Sequence, residues 1–372
     1  MANSTPIQWA DSTINPIMGC DGCPLYPNPA TIASTLVANL PFPQTHRTEV
    51  RRVVAEVFAD HPTTNLYHLR AEVAQKIAAG LATIEALESS CDLPTQIEQE
   101  ISSQVRCYAA LLHAFRGQDV RNPDKYTNKG YAPTFEQVTK FAGRMLQASK
   151  WSDLGSQDRS DAPWLNGLPR LIFVSDMGDA LSQSVDFPYL KQEIIDVVNS
   201  AHGNAHVWLW LTKRPRRMAQ FAKWLEKQGV PWPDNLVPMT SVMDRTMAKQ
   251  VKYLLDIPAK ARGLSVEPLW EGVDLDLTGI DWVIVGGESG TYAKPFDLEW
   301  ARSLQAQCRR AGTSFFMKQL GAKPVQEGKQ LTLINSHGGD WDEWPEDLRV
   351  REMPAVFTKL AVSRPIKTKR LN

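Results

Sequence analysis

Three cysteines carry the clearest chemistry. Cys20 and Cys23 stand in Met18-Gly19-Cys20-Asp21-Gly22-Cys23-Pro24, and Cys107 in Arg106-Cys107-Tyr108-Ala109. A CxxC pair in a glycine-rich loop points two thiolates at one centre. With a third thiolate the set can hold an iron–sulfur cluster and leave one iron open to a substrate or cofactor. With a fourth protein ligand the same pair serves zinc. Seven histidines are available for that fourth place. His113, however, lies six residues after Cys107, not at the i+4 spacing that shares a helical face. Ligand softness and the missing fourth cysteine favour a cluster over structural zinc. Cys308 shares an apolar stripe with Trp300 and Leu304 and reads as a small buried hydrophobe, and Cys91, after Ser89-Ser90, as inert.

A second set of polar residues recurs after apolar runs. Leu171–Val174, Val207–Leu211, Leu236–Val242, Gly263–Val266, Trp282–Val285 and Ser314–Met317 read as strands buried on both faces, with helical periodicity between them. Ser175-Asp176-Met177-Gly178-Asp179 follows the first run, Thr212-Lys213-Arg214 the second, and Thr240-Ser241 closes the third. Glu267 follows the fourth, Gly286-Gly287-Glu288-Ser289-Gly290 the fifth and Lys318-Gln319 the sixth. Six strands with mostly helical crossovers predict an α/β fold, a partial (β/α) barrel of about six parallel strands. A doubly wound sheet is the second choice. In either, ligands bind at the C-terminal ends of the strands. Asp176, Thr212, Lys213, Ser241, Glu267, Gly286, Gly287 and Glu288 are therefore the candidate cofactor-binding residues. The plain alternative is loop polarity with helix capping by Asp179 and Ser241. Gly286-Gly287-Glu288 offers amides beside a carboxylate for an amino-acid-like group. Lys213 and Arg214 suit an anion, with Pro215 opening a helix behind them.

The first part of the chain is helical. Val50, Val53, Val57 and Phe58 form one stripe, Leu66, Leu69, Val73, Ile77, Leu81 and Ile84 a second, and Ile97, Ile101, Val105, Tyr108, Leu112 and Phe115 a third. Cys107 falls within or at the edge of the third helix. The expected organisation is a cysteine loop over 1–30 and a helical insertion over 31–106. A helix and connector follow over 107–169, with a short helix near Phe135–Ala148. The barrel core takes 170–325 and a C-terminal extension 326–372. Lys plus Arg and Asp plus Glu both number 41, so no global basic bias announces nucleic acid. A polar start, no long apolar run and an odd cysteine count predict a cytoplasmic protein without a membrane partner.

Taken together, several motifs resemble a phage-associated bacterial protein family of unknown function. They are Asn15-Pro16-Ile17-Met18-Gly19-Cys20-Asp21-Gly22-Cys23, Cys107-Tyr108-Ala109, Phe173–Asp179, Trp210–Pro215, Leu264–Pro268, Val285–Gly290 and Lys318–Gly321. That family in turn resembles a divergent branch of the radical S-adenosylmethionine (SAM) superfamily. The resemblance implies a [4Fe–4S] cluster on Cys20, Cys23 and Cys107, with SAM on the open iron. It implies reductive cleavage of SAM to a 5′-deoxyadenosyl radical, an external electron donor, and hydrogen abstraction from a substrate. Phage association points to a nucleotide or DNA base. About 80 residues separate Cys23 from Cys107, so the superfamily's CxxxCxxC spacing is absent, and Gly286–Glu288 comes later than its usual Gly-Gly-Glu run.

Two other functions fit parts of the sequence. Arg214, Arg216, Arg217 and the Lys367-Thr368-Lys369-Arg370 tail would serve a non-catalytic nucleic-acid-binding protein stabilised by zinc or a cluster. Ser175, Asp176, Asp179 and Glu267 would serve a metal-dependent hydrolase. It would lack a nucleophile elbow or a paired histidine motif.

Overall fold

The computed structural model describes residues 5–21, 25–26, 29–40, 44–60, 66–82, 92–116, 118–119, 122–126, 130–135, 137–290 and 292–361. They fall into two compact units. One takes the described residues up to Pro16, those of Phe141–Asp176 and those from Val185 onward; the other takes those of Ile17–Lys140 and Met177–Ser184. The longer helices among them are α1 (Pro29–Asn39), α2 (Arg47–Ala59), α3 (Leu66–Leu81), α4 (Leu93–Gln104), α5 (Tyr108–Arg116), α6 (Pro215–Lys227) and α7 (Leu298–Ala311).

The first unit is built on one parallel sheet. Its strands are β1 (Ser12–Ile14), β2 (Arg170–Val174), β3 (His206–Thr212), β4 (Leu236–Ser241), β5 (Gly263–Val266), β6 (Trp282–Gly286) and β7 (Ser314–Gln319). They lie side by side in chain order, every neighbour parallel. This is the order of a (β/α) barrel opened before closure; a doubly wound sheet would reverse it at a switch point. The six apolar runs all form strands. The seventh, β1, carries no apolar run of its own, and it forms because its register against Ile172–Val174 extends the sheet by one strand.

Side chains alternate between the two faces of this sheet. Leu171, Phe173, Val207, Leu209, Val237, Met239, Trp282, Ile284 and Phe316 form one core with Trp9, Leu165, Leu168, Phe357 and Leu360. Trp282 sits at its centre, edge-on to Trp9, Phe316 and Phe357 at centroid distances of 6.0, 5.9 and 5.5 Å. The opposite face meets the helices: Trp210 is edge-on to Phe221 of α6 at 5.9 Å. Cys308 of α7 is fully buried, as its stripe predicts.

Both sheet edges are held. Beside β1, Arg159 pairs with Asp11 at 2.8 Å and donates to the Leu165 and Leu168 carbonyls at 2.5 and 2.9 Å. Asp11 in turn accepts from the Leu171 amide at 2.8 Å. At the other edge the C-terminal extension pairs antiparallel with β7. The Met317 amide donates to the Val350 carbonyl at 2.8 Å and the Glu352 amide to the Phe315 carbonyl at 2.9 Å. The exposed backbone row that would invite another strand is thus covered.

The second unit holds α1 to α5. Val50, Val53, Leu66, Val73, Ile77, Leu81, Ile97 and Ile101 are buried as their stripes predict. The third stripe is not one helix. It breaks at 105–107, where the Arg106 amide donates to the Leu25 carbonyl at 2.8 Å. That break resets the helical phase, which leaves Tyr108 57% and Phe115 68% exposed. Cys107 stands at the start of α5 and its carbonyl accepts from the Leu111 amide at 3.0 Å. The helix expected near Phe135–Ala148 is shorter, Arg144–Ser149, because Thr139-Lys140 pairs with Ile17-Met18 as strand and Gly143 turns at φ +83°. Ile84 and Cys91 lie outside the described residues. No helix among the described residues is long and apolar enough to cross a membrane.

All twelve tryptophans belong to the first unit, so indole fluorescence reports on it alone. Arg159→Met leaves the 7%-exposed Asp11 carboxylate unpaired and should destabilise this unit by about 3–5 kcal/mol in urea unfolding followed by fluorescence. A change under about 1 kcal/mol would show that the pair is not what holds this edge. Replacing residues 40–92 by a short linker should leave the native fluorescence and its cooperative unfolding in place. Loss of both would contradict the division into two units.

Candidate functional site

The cysteine loop in the second unit is set by backbone crossings. Gly19 has φ +88°, and a Cβ there would stand 2.6 Å from the Gln137 carbonyl oxygen and 2.7 Å from that of Phe135. A Cβ on Gly178 would stand 2.6 Å from the Gly19 carbonyl oxygen. Glycine at both positions lets three stretches of chain touch with no side chain between. The contacts are then backbone hydrogen bonds: the Gly19 amide to the Met177 carbonyl at 3.2 Å, and the Cys20 amide to the Phe135 carbonyl at 2.9 Å. Asp21 accepts from the Ser184 amide at 3.1 Å. On the far side of the loop Leu25 accepts from Arg106, the residue before Cys107.

Cys20 and Cys107 are both buried, each 9% exposed. Cys23 lies outside the described residues. Among the described residues no group of three or more His, Cys, Asp or Glu could hold a metal ion. His113 is fully buried, with its Nε2 2.8 Å from the Ala132 carbonyl oxygen and its ring 5.8 Å from Phe135. That ring nitrogen is therefore committed to the backbone. Burial pushes the Cys308 thiol up to about 12, which keeps it neutral and a poor ligand at neutral pH.

The strand-end residues of the first unit divide by face. Ser265 shares the core-side face with Met239, Ser241 and Gly263 through the register of β4 and β5. Lys318 follows Phe316 by two residues on that same face. Glu267, just beyond β5, accepts from the Ser265 hydroxyl at 3.1 Å through Oε1. Its Oε2 lies 2.8 Å from Lys318 Nζ. Strand β6 runs between the two, and Gly286 is what lets them meet: a Cβ there would stand 3.3 Å from Glu267 Oε2. Ser175 follows β2 at φ +75°, a conformation that costs a non-glycine residue about 1–3 kcal/mol, and its buried hydroxyl has no hydrogen-bond partner among the described residues.

Other candidates have local structural roles. Thr212 is on the helix-side face with Trp210; its hydroxyl accepts from the Arg214 amide at 2.9 Å and so shapes the turn into α6. Lys213 and Arg214 occupy that turn. Asp176 accepts from the Asn15 side-chain amide. Glu288 accepts from Trp270 Nε1 at 3.2 Å and the Lys294 amide at 2.9 Å, tying its loop together. Gly287 is required by chain packing, since a Cβ would lie 2.3 Å from the Leu320 carbonyl oxygen. Asp179 accepts from the Leu181 amide at 3.0 Å, a local turn bond.

In the sequence Lys318 reads only as a polar strand end and Ser265 only as part of the Leu264–Pro268 motif. Lys318 carries no local signal, because its partner Glu267 is two strands away, whereas Ser265 stands two residues before Glu267 along the chain. A groove of about 640 Å³ lies at the opposite end of the strands, beside Gly279, Asp281, Gly312, Ser314 and Val356, and contains none of the candidate residues.

No curated protein and no solved structure matches the chain. A family model described as protein of unknown function (DUF5131) matches residues 98–345, a stretch that includes Cys107 and strands β2 to β7. It spans more than half of the 372 residues, and the chain belongs to that family.

Proposed function

We propose that this protein is a radical SAM-like iron–sulfur enzyme that modifies or repairs a nucleotide or DNA base. Cys20, Cys23 and Cys107 are its cluster ligands. The observation that carries this reading is the anchoring of the cysteine loop at both ends. Cys20 is held by Phe135, and Leu25, two residues after Cys23, is held by the neighbour of Cys107. Backbone about 80 residues apart in sequence, at Leu25 and Arg106, is thereby joined within one unit, which supports the reading. Three thiolates, with the His113 Nε2 bonded to the Ala132 carbonyl, form the soft donor set of a [4Fe–4S] cluster with one open iron. A cluster held by Cys20, Cys23 and Cys107 would supply one-electron reduction of SAM, with the electron from an external donor and methionine and a 5′-deoxyadenosyl radical as products.

The chain's own residues bind and orient. Burial around Cys20 and Cys107 limits water at the thiolates. In the first unit, Asp176, Glu267 and Glu288 are acceptors for ribose hydroxyls, and Lys213 and Arg214 are donors for an anionic group, all by charge-assisted hydrogen bonds. Ser241, Gly286 and Gly287 line the same strand ends. In the second unit Tyr108 and Phe115, seven residues apart on α5, expose rings of the kind on which bases stack.

Anaerobic reconstitution should yield about four iron and four sulfide per chain. The reduced protein should then convert SAM to methionine and 5′-deoxyadenosine, measured by chromatography. Cys20→Ala and Cys107→Ala should lose cluster and cleavage together, whereas Cys308→Ala should keep both. A protein that takes up zinc only would shift the reading to a metal-stabilised binding protein. A full cluster that never cleaves SAM would refute the enzyme.

A further inference from the structure

Lys318 is set apart in its own strand. Between β6 and β7 the register passes from Val285 opposite Met317 to Gly286 opposite Gln319, so Lys318 is left out of the ladder as the extra residue of a bulge. Bulges are rare between parallel strands and re-aim a side chain where they occur, often beside functional sites. Here the re-aimed chain crosses the bare surface of Gly286 to reach Glu267, whose other oxygen is held by Ser265.

The Lys318 side chain is only 23% exposed, and Glu267 is its only ionic partner among the described residues. An ammonium has three donors, and this one has a single side-chain acceptor. A second cation lies against the same strand. Arg351 donates to the Met317 and Lys318 carbonyls at 3.2 and 3.3 Å and stacks on Trp164 at 4.3 Å, with no carboxylate partner among the described residues. Its neighbour Glu352 accepts from the Phe315 amide instead. Arg351 thus adds a second positive charge against the backbone of β7 at Lys318.

We infer that Lys318 is the centre of an oxyanion-binding subsite at the strand ends, positioned by Glu267 and Ser265. It would take a phosphate or carboxylate group of the substrate. The inference rests on the strand ends being the ligand-binding face, but it needs neither cluster nor SAM. Two donors of a largely buried, already oriented ammonium match two oxygens of such a group, and little side-chain entropy is left to lose.

Inorganic phosphate and, separately, acetate can be titrated into the full-length protein while lysine ammonium signals are followed by nitrogen-15 NMR. One lysine signal should shift saturably, and Lys318→Met should remove that signal and weaken binding about tenfold or more. Lys318→Arg should retain binding, which guards against a folding defect in the methionine variant; Glu267→Gln should tighten it by freeing the ammonium. Tighter phosphate than acetate assigns a phosphoryl group, and the reverse a carboxylate. Binding that Lys318→Met leaves unchanged marks an adventitious ion only and overturns the subsite, as does a Lys318 signal that moves with neither anion. Because SAM is absent from this assay, such a failure is separate from any failure to cleave SAM.

Discussion

The hydrogen bond from the Arg106 amide to the Leu25 carbonyl is the interaction on which the cysteine site depends. A helical amide at that position would bond to the carbonyl four residues back, Ser102. Bonding instead to the cysteine loop ends α4, resets the phase of α5, and sets Cys107 at the new helix start. The same bond fixes the far end of the loop that Gly19 and Phe135 fix at the near end. Four helices, α1 to α4, lie between Leu25 and Arg106 in sequence without separating the two backbone segments. Leu25 and Arg106 are far apart along the chain, yet one hydrogen bond joins them.

In the first unit the equivalent constraint is strand order. A sheet whose strands follow the chain puts all its C-terminal ends on one edge, and alternation decides which residues share a face there. The core-side face is aromatic and aliphatic around Trp282 and turns polar toward the strand ends at Ser241, Ser265, Glu267 and Lys318. Gly286 matters there through the side chain it lacks, since the Glu267–Lys318 pair spans the strand that carries it.

The six long strands were legible because each is a short apolar run bounded by turn residues. β1 was not, since Ser-Thr-Ile carries no pattern and is a strand only through β2. The break before Cys107 was also hidden. No proline or glycine marks it, and its cause is a carbonyl about 80 residues away. At Thr212 and Gly287 the structure adds local roles that no sequence pattern announces, one forming a turn and the other admitting a neighbouring backbone. Periodicity reads local structure well, but it does not report bonds between distant segments.

The central claim is that three thiolates hold one cluster with an iron left open to SAM. Electron paramagnetic resonance of the anaerobically reduced protein, recorded with and without SAM, tests it most directly. The account predicts the signal of a reduced [4Fe–4S] cluster whose g values change when SAM is added. A protein without a cluster signal, or with one that SAM leaves unaltered, would contradict it.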